Sequence, residues 1–298
     1  MKSGFVAVIG RPNVGKSTLL NAIIGEKIAI ATDKPQTTRN RIRGILNTKD
    51  SDRNEEYQII FIDTPGIHKP NNKLGEYMTS TALETLKEVD AVFFVIDGPP
   101  GKGGGDRYIL ESLKNIDTPK FLVINKTDIM PPDDFQKTFD FYESMGVFKE
   151  VIGISAKKNT HVDRLVEAIK PLLSEGPRYF PDDMITDHPE RFIVTEIIRE
   201  KMLMFLDQEV PHGVAVEIES YKETPKITRI SAVIYTEKKS HKGIIIGKNG
   251  RKLKGIGKSA REEIEALLGS KVYLELFIKV KEKWRDSDYM LSSLGYKE

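Results

Sequence analysis

The sequence predicts an α/β fold in which helices cover both faces of a mainly parallel sheet, followed by a smaller α+β domain. In the first half, continuous apolar strands alternate with amphipathic helices, which is typical of a parallel sheet buried on both faces. A glycine-rich loop joins the first of these strands to the first helix. In the second half, apolar and polar residues alternate within the strands, as expected for a sheet that is covered on one face only.

Length and composition allow two domains and exclude several classes of site. The chain has 298 residues, a formal net charge of +2 and no cysteine, so disulfides and thiolate metal sites are excluded. The N-terminal stretch MKSGFVAVIG lacks the apolar core and cleavage site of a signal peptide, and no apolar run reaches membrane-spanning length. We therefore expect a cytoplasmic protein. The change of pattern between the two halves predicts one domain at residues 1–180 and another at residues 181–298.

The predicted first domain consists of strands that are each followed by a helix. The strands lie at residues 5–9, 57–62, 91–96, 121–124 and 151–154, and the helices at residues 16–24, 74–88, 107–114, 135–144 and 162–173. The glycine-rich stretch at residues 98–105 interrupts this pattern, and we expect it to be a flexible surface loop. Because ligands bind beyond the carboxyl ends of the strands in such sheets, the functional motifs are expected there.

The loop between the first strand and the first helix, GRPNVGKS, matches the phosphate-binding loop pattern. Its glycines let successive backbone N–H groups point inward, and the positive end of the helix points at the same place. Lys16 supplies a charge for the β- and γ-phosphates, and Ser17 offers a hydroxyl to magnesium. We expect nucleotide contacts from Gly10, Arg11, Pro12, Asn13, Val14, Gly15, Lys16 and Ser17.

A second motif, DTPG, follows the strand at residues 57–62 and comprises Asp63, Thr64, Pro65 and Gly66. The Asp63 carboxylate can hold magnesium opposite Ser17. Gly66 can offer its N–H to the γ-phosphate and change conformation when that phosphate leaves. The motif therefore predicts a segment that responds to the state of the nucleotide.

A third motif decides which base is bound, and it follows the strand at residues 121–124 as Asn125, Lys126, Thr127 and Asp128. The Asp128 carboxylate can accept hydrogen bonds from guanine N1–H and from its exocyclic amine. Adenine would leave that carboxylate unpaired, which favours guanine strongly. Asn125 is expected to tie neighbouring loops together, and the Lys126 stem to cover a face of the base. The triplet Ser155, Ala156 and Lys157 is expected to close over guanine O6 with a backbone N–H.

In this order, the motifs resemble those of GTP-binding switch proteins of the translation-factor-related class, which are P-loop NTPases; the NKTD motif disfavours a P-loop kinase or an ATPase. The resemblance implies a mobile segment at residues 31–43 whose threonine completes the magnesium shell. Thr38, directly before an arginine, is the expected ligand, and Thr37 is the alternative. The expected cofactors are GTP or GDP and Mg²⁺, with Ser17, Thr38 and Asp63 as the metal ligands.

One position departs from the small signalling GTPases, which carry glutamine directly after the DxxG glycine. This chain has Ile67 there, so its intrinsic hydrolysis is expected to be slow. Relatives with asparagine at the position of Asn13 often bind potassium, and we expect the same here. The expected catalytic residues are Lys16, Thr38, Gly66 and Asn13, whereas His68 is expected to be a solvent-facing loop residue.

Residues 176–190 contain three prolines and little periodicity, so they are predicted to be an irregular joint, with Thr186 or Asp187 capping the next helix. Beyond it, helices are predicted at residues 190–206, 239–246 and 251–268, and strands at residues 213–221, 226–236 and 271–280. With GKNG between two of the helices, this order resembles a type II KH domain. The aromatic residues of the tail, Trp284, Tyr289 and Tyr296, could stack on bases, but are expected to anchor the tail to the domain.

The GKNG loop predicts binding of single-stranded RNA, since its glycines let a nucleic-acid backbone approach the chain closely. Basic residues are concentrated between residues 238 and 258, a stretch without Asp or Glu. Such an asymmetry is typical of a surface that binds a phosphate backbone. We expect RNA contacts from Lys242, Gly247, Lys248, Asn249, Gly250, Arg251, Lys252 and Lys254.

The combination of these two domains, together with PQTTRNRI, DTPGIHKP and IIGKNG, resembles the Era family of bacterial GTPases over essentially the whole chain. The resemblance implies a monomeric GTPase that binds the 3′ end of 16S rRNA and acts in assembly of the small (30S) ribosomal subunit. It also implies a peripheral contact with the inner membrane face, which no amphipathic anchor or lipidation signal supports. The alternatives are a GTPase of membrane or cell-cycle signalling and a non-catalytic RNA-binding scaffold.

Overall fold

The computed structural model describes residues 1–50, 54–100, 104–114 and 116–297. The chain divides into two compact units, one formed by Met1–Ala31, Thr38–Pro70 and Gly75–Asp187, the other by Thr32–Thr37, Asn71–Leu74 and His188–Glu298. The division near residue 187 lies a little beyond the predicted boundary at residue 180. The middle of the glycine-rich stretch predicted to be a flexible loop, residues 101–103, lies outside the described residues.

The first half of the chain alternates strands and helices, as predicted. In chain order, the elements are β1 (Lys2–Gly10), α1 (Lys16–Ile24), β2 (Ile42–Asp50), β3 (Glu55–Asp63), α2 (Lys73–Thr85), β4 (Ala91–Ile96), α3 (Gly104–Leu113), β5 (Lys120–Ile124), α4 (Pro132–Glu143), β6 (Glu150–Gly153), α5 (Val162–Ile169) and β7 (Ser174–Glu175).

Among the described residues, these strands form one sheet with the order β2-β3-β1-β4-β5-β6, and β7 pairs with β1. The pairs from β3 through β6 are parallel, while β2 is antiparallel to β3. The strand β2 was not predicted, because its outer half, Asn47–Asp50, is polar and resembles a loop. It forms one edge of the sheet, and its inner residues Ile42 and Ile45 are buried.

The parallel register brings the predicted motifs to one edge of the sheet. Val8 of β1 is paired with Asp63 of β3, and Gly10 is paired with Val95 of β4. Ile124 at the end of β5 is paired with Ile96 on one side and Gly153 on the other. The loops that follow β1, β3, β4, β5 and β6 therefore meet at the carboxyl ends of the strands.

The second unit has the predicted order of helices and strands. Its elements are α6 (Glu190–Phe205), β8 (Ala215–Lys222), β9 (Thr228–Thr236), α7 (Lys239–Ile246), α8 (Arg251–Leu268), β10 (Val272–Val280) and α9 (Asp288–Ser293). Within the described residues, the sheet has the order β10-β9-β8, with β10 parallel and β8 antiparallel to β9. One apolar core joins α6 and α8 to a single face of this sheet, for example through Ile198, Ile234 and Ile264.

The joint at residues 176–190 is attached to the first unit by its segment 177–187. The backbone N–H groups of Tyr179 and Phe180 donate to Oε1 of the buried Gln58, at 2.7 and 3.0 Å. The Gln58 amide donates in turn to the carbonyl of Phe180 at 2.8 Å. The N–H of Ile45 in β2 donates to the carbonyl of Ile185 at 2.9 Å. The joint therefore lies against the β2 side of the sheet.

The predicted cap of α6 was wrong. The helix begins after Pro189, which occupies the capping position without a side-chain hydrogen bond. Asp187 instead accepts a hydrogen bond from the Arg43 guanidinium, within the first unit. The carboxylate therefore holds the end of the joint rather than the start of the helix.

The three aromatic residues that were predicted to anchor the tail differ in their exposure to solvent. Trp284 is 0% exposed and donates its indole N–H to the carbonyl of Gly213 at 2.9 Å. Tyr296 is buried and stacks on Trp284, with ring centroids 6.3 Å apart. Tyr289, by contrast, is 77% exposed, so the expectation of an anchor fits only the other two. Within the described residues, no helix has the length and apolar character needed to cross a membrane.

Candidate functional site

The phosphate-binding loop is shaped by close contacts at its glycines. A side chain on Gly10 would come within 2.4 Å of the carbonyl of Val95, and one on Gly15 within 2.3 Å of the Asn125 amide. Gly15 caps the start of α1 with φ 96°, and Asn13 also has a left-handed backbone, with φ 67°. The loop therefore requires glycine for close approach and for positive φ, as a phosphate cradle does.

Lys16 is buried, and its ammonium is hydrogen-bonded to the backbone of this loop. Its Nζ donates to the carbonyls of Gly10 and Arg11, at 3.2 and 3.0 Å. Burial lowers the pKa of Lys16 to about 8, against the opposing attraction of the Asp63 carboxylate. A phosphate group bound at the loop would place negative charge near this desolvated ammonium and so favour its protonated form.

Three oxygen-bearing side chains meet beside Lys16. The Ser17 hydroxyl donates to Oδ2 of Asp63 at 2.6 Å and lies 2.7 Å from the Thr38 hydroxyl. The Thr38 hydroxyl also donates to Oδ2 of Asp63, at 3.2 Å. All three residues are buried. Thr37 faces another way, since its hydroxyl donates to the carbonyl of Lys34 at 2.6 Å.

This cluster has the chemistry of a magnesium site. Burial raises the pKa of Asp63, while Lys16 and the two hydroxyls act in the opposite direction. The other carboxylate oxygen of Asp63, Oδ1, is buried and has no hydrogen-bond partner among the described residues. Hard oxygen ligands beside an unpaired carboxylate oxygen suit Mg²⁺, so the residues present fit this ion.

The DxxG segment packs against the phosphate-binding loop. A side chain on Gly66 would lie 2.7 Å from the backbone nitrogen of Pro12, so glycine is required for this close approach. The Thr64 hydroxyl donates to the carbonyl of Val8 at 2.9 Å, and Pro65 is buried. Ile67 is fully buried. His68 is half-buried, and its Nδ1 lies 2.9 Å from the carbonyl of Gly66.

Asn125 connects three loops at the base-recognition end. Its amide donates to the carbonyl of Val14 at 2.9 Å. Its side-chain oxygen accepts from the N–H groups of Lys126 and Ala156, at 2.8 and 3.0 Å. The N–H of Thr127 donates to the carbonyl of Ile154 at 3.1 Å. The NKTD loop, the SAK loop and the phosphate-binding loop are thus held together.

Asp128 is exposed, and one of its carboxylate oxygens is held in place by a neighbour. The Ser155 hydroxyl donates to Oδ1 of Asp128 at 2.7 Å, and the N–H of Lys158 donates to the same hydroxyl at 3.2 Å. Lys157 is exposed. The SAK loop therefore fixes the carboxylate that the sequence assigns to guanine.

Charged residues that the motifs do not include lie beside the site. Asp97, directly after β4, accepts hydrogen bonds from Arg11 and from Lys126, at 3.2 and 2.7 Å. Asp106 of α3 accepts from Arg11 at 2.6 Å. Sequence reasoning missed both carboxylates. The position of Asp97 at the carboxyl end of a parallel strand is the signal that could have found it.

In the second unit, the GKNG loop lies between α7 and α8. Gly247 and Gly250 have φ of 69° and 73°, and Asn249 has φ of 53°. A side chain on Gly247 would lie 2.7 Å from Cβ of Lys252, whereas one on Gly250 would meet no atom within 4 Å. Gly250 caps the start of α8, so the helix directs its positive end at this loop.

The predicted RNA-binding residues surround this loop. Lys248, Asn249, Arg251 and Lys254 are exposed, while Lys242 and Lys252 are half-buried. Ile244, on the last turn of α7, is exposed as well. The loop thus combines exposed cations, a helix start and an apolar side chain, features that can interact with the phosphates and bases of single-stranded RNA.

Two family models match the chain. The model described as "50S ribosome-binding GTPase" matches residues 5–126. The model described as "KH domain" matches residues 209–285. The two matches fall in the two halves of the chain that carry the motifs above.

Among curated relatives, "GTPase Era" of Alkaliphilus oremlandii is 62% identical, over 99% of both chains. "GTPase Era" of Clostridioides difficile is 55% identical, over 100% of this chain and 99% of the relative. Among solved structures, Era in complex with MgGDPNP and nucleotides 1506–1542 of 16S ribosomal RNA matches with a TM-score of 0.94 at 41% identity. A variant of Aquifex aeolicus Era bound to GDP·AlF4⁻ matches with a TM-score of 0.93 at 40% identity. Both structural matches cover 100% of each chain.

Proposed function

The chain belongs to the Era family of GTPases, and from that premise we propose that it binds the 3′ end of 16S rRNA and acts in assembly of the small ribosomal subunit. The RNA part of the proposal is supported by the KH domain and by the related Era structure that contains nucleotides 1506–1542 of 16S ribosomal RNA. The observation that carries its GTPase part is the meeting of Ser17, Thr38 and Asp63 at one edge of the sheet. The guanine-selecting carboxylate of Asp128 lies at the end of a strand of the same sheet. The reaction is the hydrolysis of GTP to GDP and phosphate.

For nucleotide binding, we assign the backbone of residues 10–17 and the Lys16 ammonium to the phosphates. Ser17, Thr38 and Asp63 would hold Mg²⁺, which neutralises charge on the β- and γ-phosphates when it is bound. Asp128 would accept both polar hydrogens of the guanine edge, and a backbone N–H of the SAK loop, residues 155–157, would reach guanine O6; in the structure the N–H of Ala156 donates to Asn125. Because Thr38 lies in a segment that also contacts the γ-phosphate in switch GTPases, loss of that phosphate would release it.

Hydrolysis is expected to be slow without a partner. Ile67 is fully buried and carries no polar group, so it cannot orient the attacking water. We propose that Asn13 helps to hold a potassium ion, which would supply positive charge to the transition state. Rates measured in potassium and in sodium test this: equal rates, or no effect of Asn13→Ala on their ratio, would contradict it.

For RNA, we propose that the GKNG loop binds the phosphate backbone of the 16S rRNA 3′ end. The exposed Lys248, Arg251 and Lys254 supply charge, and the start of α8 supplies backbone N–H groups. The related Era structure that contains nucleotides 1506–1542 of 16S rRNA supports this choice of RNA. The family description that mentions the 50S subunit covers residues 5–126, outside the KH domain.

The experiment that tests the proposal measures GTP turnover with and without RNA. An oligonucleotide with the 16S 3′ sequence should accelerate hydrolysis several-fold, while a scrambled sequence of equal length should not. In pull-down experiments, the GTP-loaded protein should retain 30S and not 50S subunits. Equal stimulation by the scrambled RNA, or retention of 50S subunits only, would contradict the proposal. Unchanged turnover with tight RNA binding would favour a passive scaffold or a GTPase of another pathway.

The location and the oligomeric state of the protein are also proposals. We place the protein in the cytoplasm as a monomer, with a peripheral contact at the inner membrane face. Sedimentation with vesicles of anionic phospholipid tests the membrane contact, and light scattering at micromolar concentration tests the monomer.

A further inference from the structure

Asp97 lies outside the nucleotide motifs, yet its carboxylate joins two of them. Oδ2 accepts a hydrogen bond from Nζ of Lys126 at 2.7 Å, and Oδ1 accepts one from Nη2 of Arg11 at 3.2 Å. Its side chain is 22% exposed, so both ion pairs are partly shielded from water. The residue therefore connects the base-recognition loop to the phosphate-binding loop across the ends of β1, β4 and β5.

Lys126 is fixed at both of its ends. Its backbone has a left-handed conformation with φ of 62°, and its N–H donates to Oδ1 of Asn125 at 2.8 Å. Its ammonium donates to the carbonyl of Asn13 at 2.7 Å as well as to Asp97. Between these anchors, the side chain remains 36% exposed. The side chain is thus anchored at both ends and partly exposed between them.

A lysine without these anchors would lose side-chain entropy each time a base packed on its stem. We propose that Asp97 is a positioning residue for nucleotide binding, which holds Lys126 extended so that its stem is ready to cover a face of guanine. The inference rests on the proposed guanine-nucleotide site and adds a residue to it. It assigns Asp97 to the base, although Asp97 also touches Arg11 of the phosphate-binding loop.

The contacts of Arg11 allow the role of Asp97 at the base to be separated from its role at the phosphate-binding loop. Arg11 has a second carboxylate partner, since its Nε donates to Oδ1 of Asp106 at 2.6 Å. When Asp97 is neutralised, Arg11 therefore keeps its ion pair with Asp106, whereas the Lys126 ammonium keeps only the carbonyl of Asn13 among the residues that the structure describes. The effect of neutralising Asp97 should consequently fall on the base and not on the phosphates.

The test compares ligands with and without a base in the full-length protein. In Asp97→Asn, the dissociation constants of GDP and GTP should both rise about tenfold, through faster dissociation of a fluorescent GDP analogue. The constant for magnesium tripolyphosphate, measured by displacement of that analogue, should stay within twofold. Turnover at saturating GTP should also stay within twofold, so that KM changes and kcat does not. A role in folding or in the phosphate loop would weaken tripolyphosphate binding as well.

Two further variants complete the test. In a Lys126→Ala background, Asp97→Asn should have no additional effect on GDP, because the side chain that it positions is gone. Asp106→Asn, which removes the other partner of Arg11, should leave GDP affinity within twofold, and Asp97→Glu should restore part of the loss. Full additivity with Lys126→Ala, or an equal loss in Asp106→Asn, would overturn the inference. If the unaltered protein bound ATP as tightly as GTP, the proposed function itself would fail instead.

Discussion

Thr37 and Thr38 are neighbours in the chain, yet their hydroxyls have different partners. The Thr38 hydroxyl lies with the side chains of Ser17 and Asp63. The Thr37 hydroxyl donates to the carbonyl of Lys34 and lies 2.7 Å from the Thr32 hydroxyl. The family pattern favoured Thr38, directly before an arginine, but the chemistry of two adjacent threonines could not exclude Thr37. The direction of each side chain depends on the backbone of the whole segment.

We predict that Thr38→Val lowers GTP hydrolysis at least tenfold and leaves GDP binding within twofold. The substitution keeps the shape of the side chain but removes a hydroxyl ligand, a loss of about 1.5–3 kcal/mol for a group that contacts a charge. Thr37→Val is the matched control and should hydrolyse GTP at a near-normal rate. Single-turnover assays of both variants provide the measurement, and equal rates in the two would contradict the assignment.

Lys16 gives a prediction about protons. Its pKa of about 8 means that the ammonium of the nucleotide-free protein loses its proton above that pH. Phosphates restore the charged form, so nucleotide binding at pH 8.5 should take up about three-quarters of a proton, and almost none at pH 6.5. Calorimetric titrations with GDP in buffers of different ionisation enthalpy measure this uptake. Equal uptake at the two pH values would exclude Lys16 as the source.

The same pKa determines how the contribution of Lys16 to the unfolding free energy changes with pH. Between about pH 8 and the ordinary lysine value of 10.5, the unfolded chain binds more protons at this residue than the folded protein does. The contribution of Lys16 to the unfolding free energy of the nucleotide-free protein therefore becomes more favourable as the pH rises through that window.

At the scale of elements, the local motifs were predictable because each lies within a few consecutive residues. The phosphate-binding loop and the GKNG loop each combine glycines with a helix start, and both signals are visible in the sequence; the positive φ of these glycines then appears in the structure. Asp97 was not predictable in the same way, since Arg11 lies far away in the chain and meets it only through the order of the strands. The edge strand β2 was missed because half of it is polar.

The two ends of α8 allow a controlled test of the RNA-binding loop. Gly250 and Gly269 both have left-handed backbones, with φ of 73° and 61°, and a side chain on either would meet no atom within 4 Å. Aspartate at either position would thus have a similar backbone cost, on the order of 1 kcal/mol. Only Gly250 lies at the positive end of the helix, where the phosphate backbone is proposed to bind.

We predict that Gly250→Asp lowers affinity for the 16S 3′ oligonucleotide at least tenfold, while Gly269→Asp changes it less than twofold. A carboxylate at a helix start interacts favourably with the helix dipole, which offsets part of the backbone cost, and Gly269→Asp carries the same backbone cost as a control. Fluorescence anisotropy with a labelled oligonucleotide measures the affinity. Nucleotide binding should be normal in both variants, and a similar loss of RNA affinity in both would argue against this loop as the RNA site.

At the scale of the whole molecule, the joint is an ordered segment and not a loose tether. The sequence predicted its irregular backbone from its prolines, but not its attachment, because a glutamine in an apolar strand gives no indication of its partners. The side chain of Gln58 also donates to Oδ1 of Asn47 at 2.9 Å, so every polar atom of the buried amide is used. Phe180 and Met184 add apolar contacts to Ile45, Ile60 and Ile62.

We predict that Gln58→Leu frees the joint and makes trypsin cleave after Arg178 at least tenfold faster. The substitution leaves the N–H groups of Tyr179 and Phe180 without their acceptor, and each lost hydrogen bond costs about 0.5–1.5 kcal/mol. Thr138→Val is a suitable control, because it removes a buried hydroxyl that donates within α4. Mass spectrometry of the fragments gives the cleavage rates, and equal acceleration in both variants would indicate global unfolding instead.

The buried indole of the tail has a practical consequence. Trp284 is the single tryptophan of the chain, and it lies in the second unit against the carbonyl of Gly213. Fluorescence excited at the red edge of the absorption band therefore comes from the second unit alone. Emission that shifts to longer wavelength in denaturant reports the opening of that unit, while circular dichroism records both. Comparing the two signals would show, without any label, whether the halves of this protein unfold together.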